Sequence, residues 1–182
     1  QEPIANNGDQ WRRLIMIADQ HKDASLCKRV VEYAQKSQAK FGKEGAYSAT
    51  IGDALMRHKL EAEALAYYQF GRTQDRQLAD SAECAARLFA LLKTPDERIA
   101  FANEMLQTNT PFNTRYAQWA ANAYMEKGDI ASVERVTRDA LTKQQEKTFQ
   151  PAIWDATQWY NLVYGVRNQP DKMKELPPAA KP

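Results

Sequence analysis

Four small residues recur at almost equal spacing in this chain, each beside apolar neighbours. Ala18, Gly52, Ala86 and Ala121 are separated by 34, 34 and 35 positions. An apolar residue stands immediately before each of them, and the residue three positions later is apolar in all but the first case, where it is His21. A period of this length is typical of a solenoid, in which each repeat buries its apolar face against its neighbours. The spacing therefore predicts an array of similar units.

The composition favours helices. Of the 182 residues, 43% are hydrophobic and 26% are charged, as in a folded globular chain. Ala, Leu, Gln, Lys and Glu are frequent and glycine is scarce, which favours helix over strand. The net charge is +2 and the basic residues are scattered among acidic ones, unlike the basic stripe of a nucleic-acid-binding protein. No apolar run approaches the ~20 residues that a membrane-spanning helix needs.

Apolar residues at helical spacing, interrupted by turn residues, predict four helix pairs and a ninth helix. The first helix is expected to begin after Asp9 and to break at 21–23, and the second to end near Gly42. We expect a flexible lead-in over 1–8, a helical repeat domain over 9–165 and a disordered, proline-rich tail over 166–182. Further helices are predicted at about 45–57, 60–73, 75–92, 96–107 and 151–164, and a fourth pair is predicted to start after Thr110-Pro111 and to break at Gly128-Asp129.

Two turns between predicted helices carry explicit signals. Thr94 followed by Pro95 and Glu97 is the pattern of a capping box, with proline at the first helical position. Gly128 followed by Asp129 predicts the end of one helix and the N-cap of the next. These signals fall where the apolar periodicity also requires a helix boundary, so the two kinds of evidence agree.

Two of the predicted pairs have a pattern of small and bulky residues that resembles the tetratricopeptide repeat (TPR). The residues of the pattern are Ile51-Gly52-x-x-Leu55, Ala64, Tyr68 and Gly71 in the second pair, and Ala120-Ala121-x-x-Tyr124, Gly128-Asp129, Val133 and Ala140 in the fourth. The resemblance covers about 11–148. It implies an all-α fold, a right-handed α-α superhelix of about four TPR-like pairs closed by a C-terminal capping helix. The third pair departs from the pattern, because Arg98 stands where a small apolar residue is expected.

The resemblance also implies a binding surface, the concave face that the first helices of the pairs would line. By register, the residues expected on this face are Arg12, Asp19, Asp53, Met56, Arg87, Gln118, Asn122 and Met125. Some members of the family bind C-terminal carboxylates through a basic, Asn-containing clamp. Asp19, Asp53 and Glu83 would repel a carboxylate here, so this activity is not implied. The mixed charges favour a polar or amphipathic peptide.

The leading hypothesis is a non-catalytic scaffold that binds a protein or peptide and needs no cofactor. The alternatives are an accessory or assembly domain of a larger chain or complex, an all-α enzyme, and a nucleic-acid-binding helical repeat. His21 and His58 stand near the ends of first helices, without a nucleophile at a catalytic spacing. Basic residues gather on two second helices, but acidic residues interrupt them: Lys28, Arg29, Lys36, Lys40 and Lys43, then Arg135, Arg138, Lys143 and Lys147.

The predicted ninth helix is rich in aromatic residues. Its apolar stripe consists of Ile153, Ala156, Trp159, Tyr160 and Val163. A capping helix that covers the open end of the array explains this stripe, since solenoids need such caps. Trp154 falls on the other side of the helix, where an exposed aromatic residue could anchor a partner. Trp154 therefore joins the candidate binding residues.

The cysteines and the chain start add two expectations. Cys27 and Cys84 form no C-x-x-C pair or Cys/His cluster, so a zinc site is not expected. Their predicted helices are several packing steps apart, so we expect no disulfide between them. A start at Gln1 without methionine, with a tail of Pro, Ala and Lys, favours an exported protein of the bacterial envelope; a fragment of a cytoplasmic protein is the alternative.

Overall fold

A computed structural model describes residues 8–41 and 47–145, and this part of the chain contains eight helices and no strand. The prediction of an all-α fold is thus confirmed for these residues. The predicted ninth helix with Trp154, the tail and all of the lead-in except Gly8 lie outside the described residues. The helices are α1 Gly8–Gln20, α2 Ala24–Phe41, α3 Ser48–Arg57, α4 Glu61–Thr73, α5 Ala79–Leu91, α6 Pro95–Leu106, α7 Asn113–Glu126 and α8 Ile130–Gln145.

The chain divides into two compact units, unit 1 (Gln1–Leu91) and unit 2 (Leu92–Pro182). The predicted third pair is split by this division, since α5 belongs to unit 1 and α6 to unit 2. In unit 1, α3 packs against both α1 and α5, so these three helices stand side by side in one layer. A second layer contains α2, which packs on α1 and α3, and α4, which packs on α3 and α5. In unit 2, α7 packs against α6 and α8.

Two glycines allow the helices of unit 1 to approach closely. A Cβ atom added to Gly52 would lie 2.3 Å from Cε1 of Tyr68, so α3 and α4 cross at a point with no room for a side chain. A Cβ atom added to Gly71 would lie 2.3 Å from Sγ of Cys84 and 2.7 Å from Cβ of Ser48. Side chains cannot approach this closely without displacement, so both positions require glycine for steric reasons.

Unit 2 combines small buried residues with polar links between helices. Buried Ala121 and Val133 form one contact between α7 and α8, and Ala117 and Ala140 form another. The misfit predicted at Arg98 is accommodated by hydrogen bonds. This partly buried side chain donates from Nη1 to both carboxylate oxygens of Glu126, at 2.7 and 2.8 Å, and from Nη2 to a backbone carbonyl. Its charge is therefore compensated by Glu126 at the end of α7.

Three connections between helices share one turn geometry. Lys22, Lys59 and Gly128 follow the first helix of a pair and have φ of 54°, 61° and 72°. Each donates its backbone N–H to the carbonyl three residues earlier, at 2.9 to 3.0 Å. After Lys59 and Gly128, the next residue donates to the carbonyl five residues earlier, which completes a Schellman motif. The recurrence of this turn supports an array of helix pairs.

The shared turn corrects the alignment of the first pair. We count backwards from the residue of positive φ in each turn. Gly52 and Ala121 then occupy the same position, seven residues before Lys59 and Gly128 respectively. The corresponding residue of α1 is Ile15, which is fully buried, and not Ala18. The 34-residue spacing from Ala18 to Gly52 is therefore not the structural period, because the first two pairs repeat after 37 residues.

The predicted helix caps are confirmed in unit 2. The Thr94 side chain accepts from the backbone N–H of Glu97, and the Glu97 carboxylate accepts from the backbone N–H of Thr94, which makes a full capping box. Asp129 accepts from the backbone N–H of Ser132 at 3.1 Å, as an N-cap does. At the start of α1 the prediction differs, because the chain is already helical at Gly8 and Asp9 lies inside the helix.

The two cysteines are separate, buried free thiols, Cys27 in α2 and Cys84 in α5. Burial raises the pKa of both thiols above the ordinary value. Neutral, buried thiols react slowly, so both side chains act as small apolar groups in the packing.

Candidate binding surface on α1, α3 and α5

The layer formed by α1, α3 and α5 exposes a row of polar side chains on unit 1. On α3, the buried residues include Ile51, Gly52 and Leu55, so this side of the helix faces the core. Asp53 follows Gly52, Met56 follows Leu55, and both are only partly buried. Unit 1 also contains the candidate residues Arg12, Asp19 and Arg87.

The candidate residues Asp53 and Arg87 bind each other. Arg87 of α5 donates from Nε to Oδ1 of Asp53 at 2.9 Å and from Nη2 to Oδ2 at 3.0 Å. Its third group, Nη1, donates to Oε2 of Glu83 at 3.0 Å. Tyr68 of α4 donates its hydroxyl hydrogen to Oδ1 of Asp53 at 2.7 Å. A bidentate arginine–carboxylate pair of this kind fixes both the distance and the orientation of α3 and α5.

Electrostatics keep Asp53 ionised in this network. Burial alone would raise its pKa, but hydrogen bonds from Arg87 and Tyr68 outweigh that effect and lower the pKa below the ordinary value. The pKa of Arg87 is raised, chiefly by the hydrogen bond to Asp53. Arg87 remains 40% exposed, so its outer edge stays accessible to a partner.

This network predicts a pH-dependent contribution to stability. The pKa of Asp53 is lower in the folded chain than the value of about 3.9 in unfolded chains, so its ionisation stabilises the fold above that pH and the gain disappears as the pH falls through the folded pKa. Replacing Asp53 by asparagine should cost about 1 kcal/mol at pH 7, a value kept small because the pair is partly exposed.

The cost should shrink as the pH is lowered from 7 to about 3, measured by urea denaturation of both proteins at each pH. Asp139→Asn is a suitable control, because its ion pair with Lys143 lies in unit 2 and Asp139 is 61% exposed. A cost for Asp53→Asn that stays constant over this range would contradict the ionised state of Asp53.

A second ion pair links α1 to the end of α3. Asp19 accepts from Nε of Arg57 at 2.5 Å, and Nε2 of His58 lies 3.3 Å from the other oxygen of Asp19. The Asp19 and His58 side chains are 13% and 10% exposed, whereas Arg57 is 54% exposed. The predicted place of His58 at the helix end is confirmed, since His58 is the C-cap residue of α3.

The start of α3 is capped from another helix. Tyr47 precedes α3 and makes no side-chain cap, whereas Asp80 of α5 accepts from the backbone N–H groups of Ser48 and Ala49 at 3.0 and 3.1 Å. Burial raises the pKa of Asp80, and the two backbone hydrogen bonds lower it only in part. Arg12, which is exposed, also lowers this pKa by its positive charge.

The remaining candidate residues belong to unit 2 or lie outside the described residues. Gln118 is partly buried and Asn122 is exposed on α7. Met125 packs against the buried cluster of Ala121 and Val133, so much of its side chain belongs to the packing of unit 2. Trp154 lies outside the described residues.

The basic second helices are partly neutralised in unit 2. The ion pairs Glu134–Arg138 and Asp139–Lys143 are present in α8, at 3.2 and 3.0 Å. This local pairing reduces the positive charge that α8 presents to a polyanion.

Sequence reasoning missed three contributors to this surface: Arg57, Tyr68 and the capping role of Asp80. Arg57 carried a weak signal, since basic residues are favoured in the last turn of a helix. Asp80 gave no local signal, because it caps a helix that begins 32 residues earlier. Contacts at such a separation depend on how the helices pack.

Within 8–41 and 47–145, no cluster of three His, Cys, Asp or Glu side chains is arranged to hold a metal ion. Over the same residues, every helix is too short or too polar to cross a bilayer. Comparison of the chain with protein-family models, with curated proteins and with solved structures gave no match. The function therefore has to be argued from the surface itself.

Proposed function

We propose that this chain is a non-catalytic scaffold that binds a protein or peptide on the face formed by the first helices of its pairs. The proposal includes a TPR-like right-handed superhelix in which this face is concave. The observation that carries it is the layer of α1, α3 and α5, whose polar side chains are partly exposed and held in place by ion pairs between neighbouring helices.

A preformed surface of this kind suits recognition. The pairs Asp19–Arg57 and Asp53–Arg87 restrict long side chains before a partner arrives, so binding loses less conformational entropy. Partly exposed arginine residues are also frequent hot spots in protein interfaces. The surface offers acidic, basic and apolar groups together, as Met56 lies near these pairs in sequence. The occupant best suited to it is a polar or amphipathic peptide, and the proposal includes no cofactor.

The test uses peptides selected from a library of random linear sequences that bind the full chain. Binding of a selected peptide is then measured by fluorescence anisotropy. Arg87→Ala in unit 1 or Asn122→Ala in unit 2 should weaken binding about tenfold, as loss of a hot-spot side chain does. Lys143→Ala on α8 is the matched control and should leave the affinity unchanged. Salt should weaken binding by less than about tenfold, because few like charges are neutralised.

A thermal melt of each variant separates loss of binding from loss of fold. The proposal would be overturned if only Lys143→Ala reduced binding, since the basic second helices would then carry the interaction. It would equally be overturned if no selected peptide responded to Arg87→Ala or Asn122→Ala.

A further inference from the structure

A separate apolar groove lies between α1 and α2, with a volume of about 310 Å³. Leu14 and Ile17 of α1 form one wall, and Leu26, Val30 and Tyr33 of α2 form the other. Ile17 is 51% exposed and Leu26 is 36% exposed, although both are large and apolar. Exposed apolar side chains that share one groove indicate a place where another surface packs.

The equivalent positions of two other pairs are buried. Counted from the shared left-handed turn, Ile17 corresponds to Ala54 of α3 and Ala123 of α7. Both alanines are buried, at 0% and 1% exposure. They belong to helices that pack against preceding helices, α3 on α1 and α2, and α7 on α6. In the described part of the chain no helix precedes α1, and Ile17 at the equivalent position is exposed.

The second helix of this pair is also adapted to an apolar neighbour. Leu26 is the third residue of α2, a position at which α4 has Glu63 and α8 has Ser132. Polar residues are usual in the first turn of an exposed helix, because they satisfy free backbone N–H groups. In α2, Asp23 satisfies these groups, because its carboxylate accepts from the backbone N–H groups of Ser25 and Leu26. The leucine side chain is thereby left available for contact.

The positive charge at the edge of the groove favours an acidic helix over a basic one. Arg29 is the basic residue that lines the groove, His21 and Tyr33 are its other titratable lining residues, and none of the lining residues is acidic. An acidic residue beside the apolar stripe of an incoming helix would pair with Arg29 at the edge of the groove. A basic residue at the same place would be repelled.

We propose that the α1–α2 groove binds an amphipathic helix of a partner protein, with an apolar stripe flanked by acidic residues, as an additional helix against the first pair. This surface differs from the one formed by α1, α3 and α5 that carries the proposed function. The two proposals can therefore fail separately.

The probe is a synthetic, fluorescently labelled helical peptide with leucine at i, i+3, i+4 and i+7 and glutamate on both sides of the stripe. A second peptide replaces every glutamate by lysine, and a third scrambles the order of the first. Binding to the full chain is measured by anisotropy. The acidic peptide should bind at least about tenfold more tightly than either of the others.

Three variants locate the site. Ile17→Glu and Leu26→Glu should each weaken the acidic peptide about tenfold, because a carboxylate would enter the apolar groove. Arg29→Glu should reverse the preference towards the lysine peptide, an outcome that loss of folding cannot produce. Phe70→Glu is the matched control, since Phe70 is 48% exposed on α4, and Arg87→Ala tests the other surface. Neither of these two should change the affinity.

Equal binding of the acidic and basic peptides, or binding unaffected by Ile17→Glu, would overturn the proposal. Self-association is measured by sedimentation velocity on the same proteins. A dimer of the wild-type chain that Ile17→Glu dissociates would overturn it in favour of a second copy in the groove. A longer chain whose upstream residues protect Ile17 from hydrogen exchange would overturn it in favour of a segment of the same polypeptide.

Discussion

Replacing Gly52 by leucine is expected to lower the free energy of unfolding by about 3 kcal/mol, the upper end of the usual cost of overpacking. A single added Cβ atom would already lie 2.3 Å from the ring of Tyr68. The ring cannot move freely, because its hydroxyl group donates to Asp53 at 2.7 Å. Relief of the clash would therefore separate α3 from α4 or break that hydrogen bond. Urea denaturation with a check of the m-value measures the effect.

A double-mutant cycle identifies the cause. Tyr68→Ala alone should also destabilise the chain, since it leaves a cavity beside Gly52. In the double variant the leucine should fill part of this space. The double variant should therefore lose at least about 1 kcal/mol less unfolding free energy than the sum of the losses in the two single variants. Gly128→Ala is the control, because no atom lies within 4 Å of the added Cβ there and only the backbone is strained. Additive costs at Gly52 and Tyr68 would show that the crossing is not tight.

Replacing Asp80 by alanine should destabilise the chain by about 2–3 kcal/mol. The substitution removes two hydrogen bonds from the backbone of α3 to a partly buried carboxylate, at Ser48 and Ala49. Bonds to an ionised acceptor are stronger than neutral ones, and Tyr47 supplies no side-chain cap in exchange. Loss of the cap should also increase hydrogen exchange at the first turn of α3.

The matched control is Asp23→Ala, which removes an exposed cap from α2 with the same number of backbone partners. It should cost about 1 kcal/mol, since water can replace the lost acceptor there. Asp80→Asn retains one acceptor oxygen, so its cost should lie between the costs of Asp80→Ala and Asp23→Ala. If Asp80→Ala cost no more than Asp23→Ala, the capping of α3 by α5 would have no special energetic role.

Local sequence determined the helices and the turns between them. The capping box at Thr94 and Glu97 and the break at Gly128 and Asp129 depend on residues within four positions of each other, and both are present as predicted. The burial of Ile51 and Leu55 on one side of Gly52 also follows from helical spacing alone. Signals of this range could be read because the physical interaction is itself local.

The alignment of the first pair could not be predicted from the spacing of small residues alone. Small residues at equal spacing suggested that Ala18 matches Gly52, but the turn at Lys22 places Ile15 there. Ala18 fits the spacing by chance, because small residues such as Ala54, Ala85 and Ala123 are also frequent at other positions of the described helices. The turn identifies the equivalent residue, because its residue of positive φ marks the end of the helix.

What the sequence by itself determined is the class of fold of the described residues, the approximate position of their eight helices and which side of α3 is apolar. What only the tertiary structure decided is how the polar residues are used. Asp53 and Arg87 are 34 residues apart, and Asp80 caps a helix start that precedes it by 32 residues. Such pairs form only when packing at Gly52 and Gly71 brings α3, α4 and α5 together. Local periodicity cannot specify these pairs, because their energy depends on distances between side chains that are set only when the helices pack.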